Sequence, residues 1–447
     1  MYRAIEPYFA SWRTSAYRKP IILHGARQVG KTFTVRKLGA TFDNFVEANF
    51  EEAPYLKDIF KSDLKAARII RDLSLALKVE IIPGKTLLFL DEIQKVPEAI
   101  IALRYLYEEL PTLHVIAAGS LLNFAIEKVG VPVGRVDFLY LYPMSWIEFL
   151  IATGNEIICK AILDHDINMA ESDIVHEKIL KLLCEYFAIG GMPEVVNCWI
   201  NTHDPYTCAR LQQSIINSYR QDFHKYARDQ QIKYVEVVFA GVAQQMGRKF
   251  QFKNIAGEYR KRELAPALDL LINACVIHKI QHTSANGLPL GAEANDEKFK
   301  LIMLDIGLAQ ALLGLDLGDW FLNGTPEFIN KGNLVEAFVG QELHAYADPH
   351  IKNSLYFWLR EAEAKHRSST AEVDYIVQKK AAVVPIEVKS GKGAGMKSMR
   401  LFLDSHPKST YGIRYSTNNY SVYNQINSYP LYAIPLSLDW QYDTGSP

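Results

Sequence analysis

The sequence predicts an α/β chain in three parts: a parallel sheet at the front, a helical middle, and a second α/β unit at the end. Three observations carry this. From residue 1 to about 149, short apolar runs alternate with helical patterns, as in strands and helices wound about a parallel sheet. From 150 to about 230 the apolar residues recur at helical spacing, with Gly190-Gly191-Met192-Pro193 as the clear break. Near the end, two apolar strand runs flank a tight turn at 378–380 and follow an amphipathic helix at 333–346. At 447 residues the chain is too long for one ordinary domain, so two or three are expected.

In the front part, strands are expected at 20–26, 45–50, 86–92, 114–120 and 136–143. The first runs into Gly25-Ala26-Arg27-Gln28-Val29-Gly30-Lys31-Thr32-Phe33, where Gly25, Gly30, Lys31 and Thr32 fit G-x-x-x-x-G-K-[ST]. Each piece has a physical task. The glycines let the backbone curl into a ring of inward-pointing N–H donors that wraps a polyphosphate. Lys31 is placed to reach the β- and γ-phosphates, and the Thr32 hydroxyl to ligate Mg²⁺. A helix beginning near Gly30 adds the positive end of its dipole to the same anion site.

The third run, Thr86-Leu87-Leu88-Phe89-Leu90, leads straight into Asp91-Glu92, the Walker B arrangement. A buried strand delivers Asp91 to its C-terminal edge, beside the phosphate loop, to hold Mg²⁺ directly or through water. Glu92 is the candidate base that polarises the attacking water. The fourth run ends in Gly119-Ser120, where a small polar side chain either orients water against the γ-phosphate or simply turns the chain. Arg135, after Gly134, either stabilises transition-state charge, in its own subunit or a neighbour's, or is a solvated strand flank.

GARQVGKT, LLFLDEIQKVPE, AAGSLL and GRVDFLYLYPMSWIEFL together resemble a large family of bacterial and archaeal AAA+-type ATPases. Its members carry a C-terminal domain catalogued only as of unknown function. The resemblance runs from about 17 to 149 and resumes further on. It implies ATP as the nucleotide and strengthens the catalytic reading of Arg135; it supplies no substrate. In that family a similar GG-x-P-E segment belongs to the lid or connecting helices. Gly190, Gly191, Pro193 and Glu194 match it, with packing as their expected role. Arg220 and Asp222, in YRQDFHKY, are expected to be structural ion-pair partners.

Residues 234–281 read as helix, helix and short strand. Leu264, Leu268, Leu271 and Ile272 form one apolar face, consistent with a winged helix-turn-helix over 231–285. Arg248, Lys249, Lys253, Arg260, Lys261 and Arg262 gather here. Such a cluster neutralises phosphates and suits DNA, although helix-turn-helix shapes also dock proteins and charge runs are often only solvated. The segment 299–313 resembles the family's strand-plus-helix that enters the last domain, with Asp305 as a turn or capping residue.

The last part, 295–447, places Asp374 on one strand and Glu387 with Lys389 on the next, the latter two on one face because strand side chains alternate. Two carboxylates bind a divalent metal through oxygen, and a lysine holds or activates the attacking water. This is the pattern of the PD-(D/E)XK nuclease core, with Glu336 in the preceding helix as the extra acid and Gly391-Lys392-Gly393 ahead of the next helix. A second Mg²⁺ or Mn²⁺ would bind there. A solvated hairpin can carry the same three residues, and fold and activity are separable. The tail after Tyr411 is expected to finish the sheet.

Whole-chain properties bound the rest. A formal net charge of −1 leaves no global field to recruit nucleic acid or an anionic membrane. Cys159, Cys184, Cys198, Cys208 and Cys275 are odd in number and lack C-x-x-C spacing, which suggests reduced thiols rather than a disulfide frame or zinc site. The N-terminus lacks the apolar core of a signal peptide, and no apolar run approaches the ~20 residues that span a bilayer. The expected setting is cytoplasmic, without a membrane partner; a homo-oligomer is expected if Arg135 acts across a subunit boundary. Two functions stand: an ATPase whose nucleotide state regulates a nuclease-like, DNA-engaging module, or an ATP-dependent switch that binds protein or DNA without cutting.

Overall fold

A strand buried on both faces needs apolar residues at nearly every position, and the front runs around 21–23, 87–90 and 115–118 have them, while those around 44–49 and 137–140 mix in polar residues. In the computed structural model, which describes residues 1–226, 229–318, 321, 332–361, 370–389 and 395–441, these runs form β1 (Ile21–His24), β2 (Asn44–Asn49), β3 (Thr86–Asp91), β4 (His114–Ala118) and β5 (Asp137–Tyr140). Among the described residues they make a five-stranded parallel sheet in the order β2-β3-β4-β1-β5. All five expected strands are present; β2 is shifted one residue toward the N-terminus, and the other four end one to three residues earlier than expected. Alternate side chains enter two separate cores. Ile21, Leu23, Leu87, Phe89 and Ile116 face one, and Ile22, Leu88, Leu90 and Val115 the other.

Helices α1 (Glu6–Thr14), α2 (Lys31–Gly39), α3 (Ala66–Leu77), α4 (Pro97–Glu109) and α5 (Leu122–Val129) accompany this sheet. The helical middle follows as α6 (Trp146–Ala152), α7 (Glu156–Leu163), α8 (Asp173–Ile189), α9 (Pro193–Thr202), α10 (Pro205–Tyr226), α11 (Asp229–Gln245) and α12 (Lys261–Asn273). The break at Gly190-Gly191 is a packing device. Gly190 ends α8 at φ +77°, and a side chain on Gly191 would overlap the Met144 carbonyl. Asp305 caps the helix that follows it, accepting from Leu308 N (2.9 Å), and also accepts from Gly191 N at 2.6 Å. The capping role read from the sequence therefore extends to tying the glycine turn.

The last part is built on β6 (Ile277–Thr283), β7 (Ala294–Met303), α13 (Ile306–Leu312), α14 (Gly332–Ala345), β8 (Leu355–Arg360), β9 (Ala371–Lys379), β10 (Ala382–Val388), α15 (Lys397–Ser405), β11 (Gly412–Ser416), β12 (Ser421–Tyr423), β13 (Ile426–Pro430) and α16 (Ile434–Ser437). Among the described residues the strands join one eight-stranded sheet, β12-β13-β11-β10-β9-β8-β6-β7. The tail does finish it, through β11, β12 and β13.

This sheet corrects the boundary drawn between 285 and 295. The helices α11 and α12 and the strand β6 occur as expected, and Leu264, Leu268 and Leu271 are buried. However, β6 pairs antiparallel with β7 and parallel with β8, so the hairpin that would be a wing is part of the last sheet. The physical reason is the shared core: one cluster of buried residues runs from Ile5 through Leu264 to Ile434. Gly391-Lys392-Gly393 lies outside the described residues. Among the described residues no helix is long and apolar enough to cross a membrane, and all five cysteines carry free thiols.

Candidate functional site

At the C-terminal edge of β1 the chain turns through Gly25 at φ +154° and Gly30 at φ +95°, then enters α2. Gly25 lies so close to the end of β5 that a Cβ would overlap the Leu141 carbonyl oxygen. Lys31 folds back over the loop, its Nζ donating to the carbonyls of Gly25 (2.9 Å) and Ala26 (2.7 Å). Burial lowers its pKa to about 8, against the opposing pull of Glu92 and Asp91. Ala26 and Val29 are buried beneath the loop, while Phe33 is half exposed.

The strand β3 brings the second half. The Thr32 hydroxyl donates to Asp91 Oδ2 at 2.9 Å, although the two are far apart in sequence. Burial raises the Asp91 carboxyl to about 6, with the Thr32 hydrogen bond opposing. Glu92 follows at φ +55°, a left-handed conformation unusual for a glutamate, and accepts a hydrogen bond from Gln94 Nε2. Ser120 is buried just past β4, on the same sheet edge, beside Gly119 over which Gln94 is packed. Thus Gly25–Thr32, Asp91, Glu92 and Ser120 meet at one edge.

Arg135 does not join them. β5 runs parallel to β1 with Asp137 opposite Ile21, so Arg135 precedes the strand at the far edge of the sheet. Six residues, at about 3.3 Å each along the strand, separate it from Leu141 beside Gly25, roughly 20 Å. There its Nε pairs with Glu108 Oε1 at 2.8 Å, partly exposed. The own-subunit reading of Arg135 is corrected by this topology.

Two supports of the loop were not legible in the sequence. Arg3 is buried and holds three groups: Glu148 Oε1 (2.9 Å), the Val29 carbonyl (2.7 Å) and the Tyr142 carbonyl (2.7 Å). Arg3→Ala leaves the buried Glu148 carboxylate without its cation, so a loss of about 3–5 kcal/mol is expected, read as a lower denaturation midpoint. Arg27, within the loop, donates through Nη1 to Asp222 Oδ1 of α10 at 2.5 Å. The Tyr219 hydroxyl of the same helix donates to the Arg27 carbonyl at 2.8 Å. Asp222 is therefore an ion-pair partner, as expected, but of the phosphate loop; Arg220 pairs instead with Glu236 at 3.1 Å.

In the last sheet, β9 and β10 pair antiparallel with Tyr375 opposite Ile386; one step further sets Asp374 opposite Glu387. Asp374 Oδ2 accepts from Val388 N at 2.7 Å. Glu387 Oε1 pairs with Lys389 Nζ at 2.5 Å, and its Oε2 accepts from Met399 N at 3.2 Å. Glu336, expected as the extra acid toward a metal, is instead bonded to Lys300 Nζ at 2.7 Å. Lys300 also pairs with Glu372 and lies 3.8 Å from Asp374 Oδ1. Burial would lower the Lys300 pKa, but Glu336, Asp374 and Glu372 outweigh it and hold the ammonium above its usual value. The sequence signal for Lys300 was weak: it sits where the charged half of the strand, Asp296-Glu297-Lys298, gives way to the apolar half, Leu301-Ile302-Met303. Among the described residues no group of three or more His, Cys, Asp or Glu side chains is arranged to hold a metal ion.

Three family models match the chain. An AAA domain matches residues 17–150, and two domains of unknown function, DUF8612 and DUF4143, match 180–319 and 331–436. No curated protein matches. Among solved structures, the Walker-type ATPase PABY2304 of Pyrococcus abyssi is 15% identical with a TM-score of 0.46, covering 70% of this chain and 95% of that one. The Aeropyrum pernix ORC1 protein, solved in complex with DNA, is 11% identical with a TM-score of 0.29, covering 72% and 95%. Cdc6p from Pyrobaculum aerophilum is 12% identical with a TM-score of 0.23, covering 62% and 85%. These likenesses are too distant to carry function. The matched AAA domain and the loop it contains make residues 17–150 a P-loop ATPase domain of the AAA type.

Proposed function

We propose that the chain is an Mg²⁺-dependent ATP hydrolase working as a switch, in which nucleotide state at the loop sets the engagement of a partner by the rest of the chain. The observation that carries it is the Thr32–Asp91 hydrogen bond at 2.9 Å, which gathers the two groups suited to Mg²⁺ beside Lys31 and Glu92. On this reading Gly25–Phe33 cradle the phosphates, Thr32 and Asp91 hold Mg²⁺, Glu92 takes the proton of the attacking water and Ser120 orients that water. The metal supplies charge neutralisation on the β- and γ-phosphates; the chain's residues supply position. Arg135, being at the far sheet edge, serves a neighbouring subunit's nucleotide. Arg135→Ala is then expected to leave turnover unchanged in dilute monomer and to abolish the rise of specific activity with protein concentration.

The link to the rest of the chain is Arg27–Asp222, which joins the loop to α10. The partner we assign is DNA, because Arg248, Lys253, Arg260, Lys261 and Arg262 are exposed and available to phosphates. The test is fluorescence anisotropy with duplex DNA at fixed salt, with ATP or ADP. Different affinities in the two states are expected, with a loss of roughly tenfold or more in the Arg260→Glu/Lys261→Glu/Arg262→Glu chain. Equal weak binding throughout would remove DNA from the reading. A second reading, metal-dependent cleavage at a PD-(D/E)XK-like site, is favoured by the opposition of Asp374 and Glu387 and by the order α14-β8-β9-β10-α15-β11. Asp374, Glu387 and Lys389 would be its catalytic residues, and Glu336, Asp374 and Glu387 its Mg²⁺ or Mn²⁺ ligands, an assignment that the contacts of Lys300 oppose.

A further inference from the structure

A divalent metal at the last sheet needs carboxylate oxygens with lone pairs free to turn toward one point. The residues there do not fit that need. Both oxygens of Glu387 and one of Asp374 accept from protein donors, Lys389 Nζ, Met399 N and Val388 N, which halves their free lone pairs and sets an ammonium beside Glu387. The remaining Asp374 oxygen faces Lys300 Nζ, as do Glu336 and Glu372. Lys300 belongs to β7, the strand at one end of the sheet, yet its ammonium reaches β9, passing 5.1 Å from the centre of the Phe357 ring on β8. The residue is fully buried. So long a reach into the sheet's interior sets a fixed positive charge among three carboxylates contributed by α14 and β9.

We infer that the acidic cluster of Glu336, Glu372 and Asp374 takes the Lys300 ammonium as its resident cation, in the place a catalytic metal would have to occupy. The C-terminal module then engages its partner without Mg²⁺ and without cutting phosphodiesters. An ammonium held on a strand can balance the carboxylates and lock α14 against the sheet. It offers no open coordination position and cannot lower the pKa of a bound water as a metal does. The inference goes beyond the ATPase reading and does not depend on it.

The test uses the full chain carrying Asp91→Asn, which removes the metal ligand of the nucleotide loop, titrated with Mn²⁺ without nucleotide and followed by electron paramagnetic resonance. No Mn²⁺ binding sensitive to Asp374→Asn is expected. Stoichiometric binding that disappears on adding Asp374→Asn overturns the inference. A second measurement reads the lysine itself. Lys300→Met leaves the carboxylates unbalanced and is expected to lower the melting temperature by roughly 5–10 °C. Adding Glu336→Gln removes one of the stranded charges and is expected to restore at least half of that loss. A double variant that melts no higher than Lys300→Met contradicts the resident-cation role, whatever the metal titration gives.

Discussion

Replacing Glu92 with Gln is expected to slow ATP turnover by about 10²–10⁴-fold, the usual contribution of a positioned general base, while leaving Mg·ATP binding intact. The amide keeps the size and hydrogen-bonding reach of the carboxylate but cannot take a proton. Its position supports a functional rather than a merely structural role. Glu92 stands one residue beyond the strand that carries Asp91, in a left-handed conformation at φ +55° that an ordinary strand end does not require. Gln94 holds its carboxylate from one side. Thr32 and Asp91, the groups proposed to hold Mg²⁺, are untouched by the change, so nucleotide affinity serves as the internal control. Single-turnover hydrolysis and nucleotide titration on the same preparation separate the two; a parallel loss of both would assign Glu92 to structure.

Gly25→Ala is expected to weaken nucleotide binding by roughly 10²-fold. Two effects add. The backbone sits at φ +154°, where an L side chain is strained by about 1–3 kcal/mol. A Cβ would also overlap the Leu141 carbonyl oxygen, and forcing the two strand ends apart adds an overpacking penalty of about 1–3 kcal/mol. At about 1.4 kcal/mol per factor of ten, a few kcal/mol of loop distortion reaches that loss. Gly84→Ala is the control. Gly84 also has a positive φ, +84°, but nothing lies within reach of an added Cβ. It is expected to melt slightly lower, by about 1 kcal/mol of stability, with unchanged ATP affinity.

The parts of this site that could be read from the chain are those whose chemistry is contiguous. The stretch from Gly25 to Thr32 and the pair Asp91-Glu92 announce themselves because a phosphate loop and a strand-borne carboxylate need fixed residue types at fixed spacing. The supports around them do not. Arg27 and Asp222 are separated by 195 positions, and no local pattern says that a basic loop residue meets an acidic helix residue. Arg3, near the chain start, belongs to no motif, yet it is buried and bonded to the Val29 carbonyl of the loop. Arg135 was ambiguous because the sequence gives strand order no direct signature; only the parallel pairing of β5 with β1 puts it at the opposite edge. The hairpin β6–β7 shows the same limit. Its two strands were legible, but β8, the other partner of β6, lies far along the chain, so a boundary was drawn through what folds as one sheet.

Lys300 is the sharpest case. It stands where a charged stretch, Asp296-Glu297-Lys298, passes into an apolar one, so the chain does not announce that its ammonium is buried and must find carboxylates. Which carboxylates it finds depends on the strand order of the whole sheet, which sets β9 and α14 within reach of β7. Glu336 was therefore assigned to a metal when its oxygen is bonded to a lysine.

The central claim, that nucleotide state passes from the loop to the rest of the chain through Arg27 and Asp222, is tested most directly by hydrogen exchange. The Glu92→Gln chain is compared with and without Mg·ATP, then with Asp222→Asn added. The account predicts that ATP alters exchange along α10, residues 205–226, as well as at 25–32, and that Asp222→Asn removes the α10 response while the loop response persists. Changes confined to the loop, or an α10 response that is the same with and without Asp222, would contradict it.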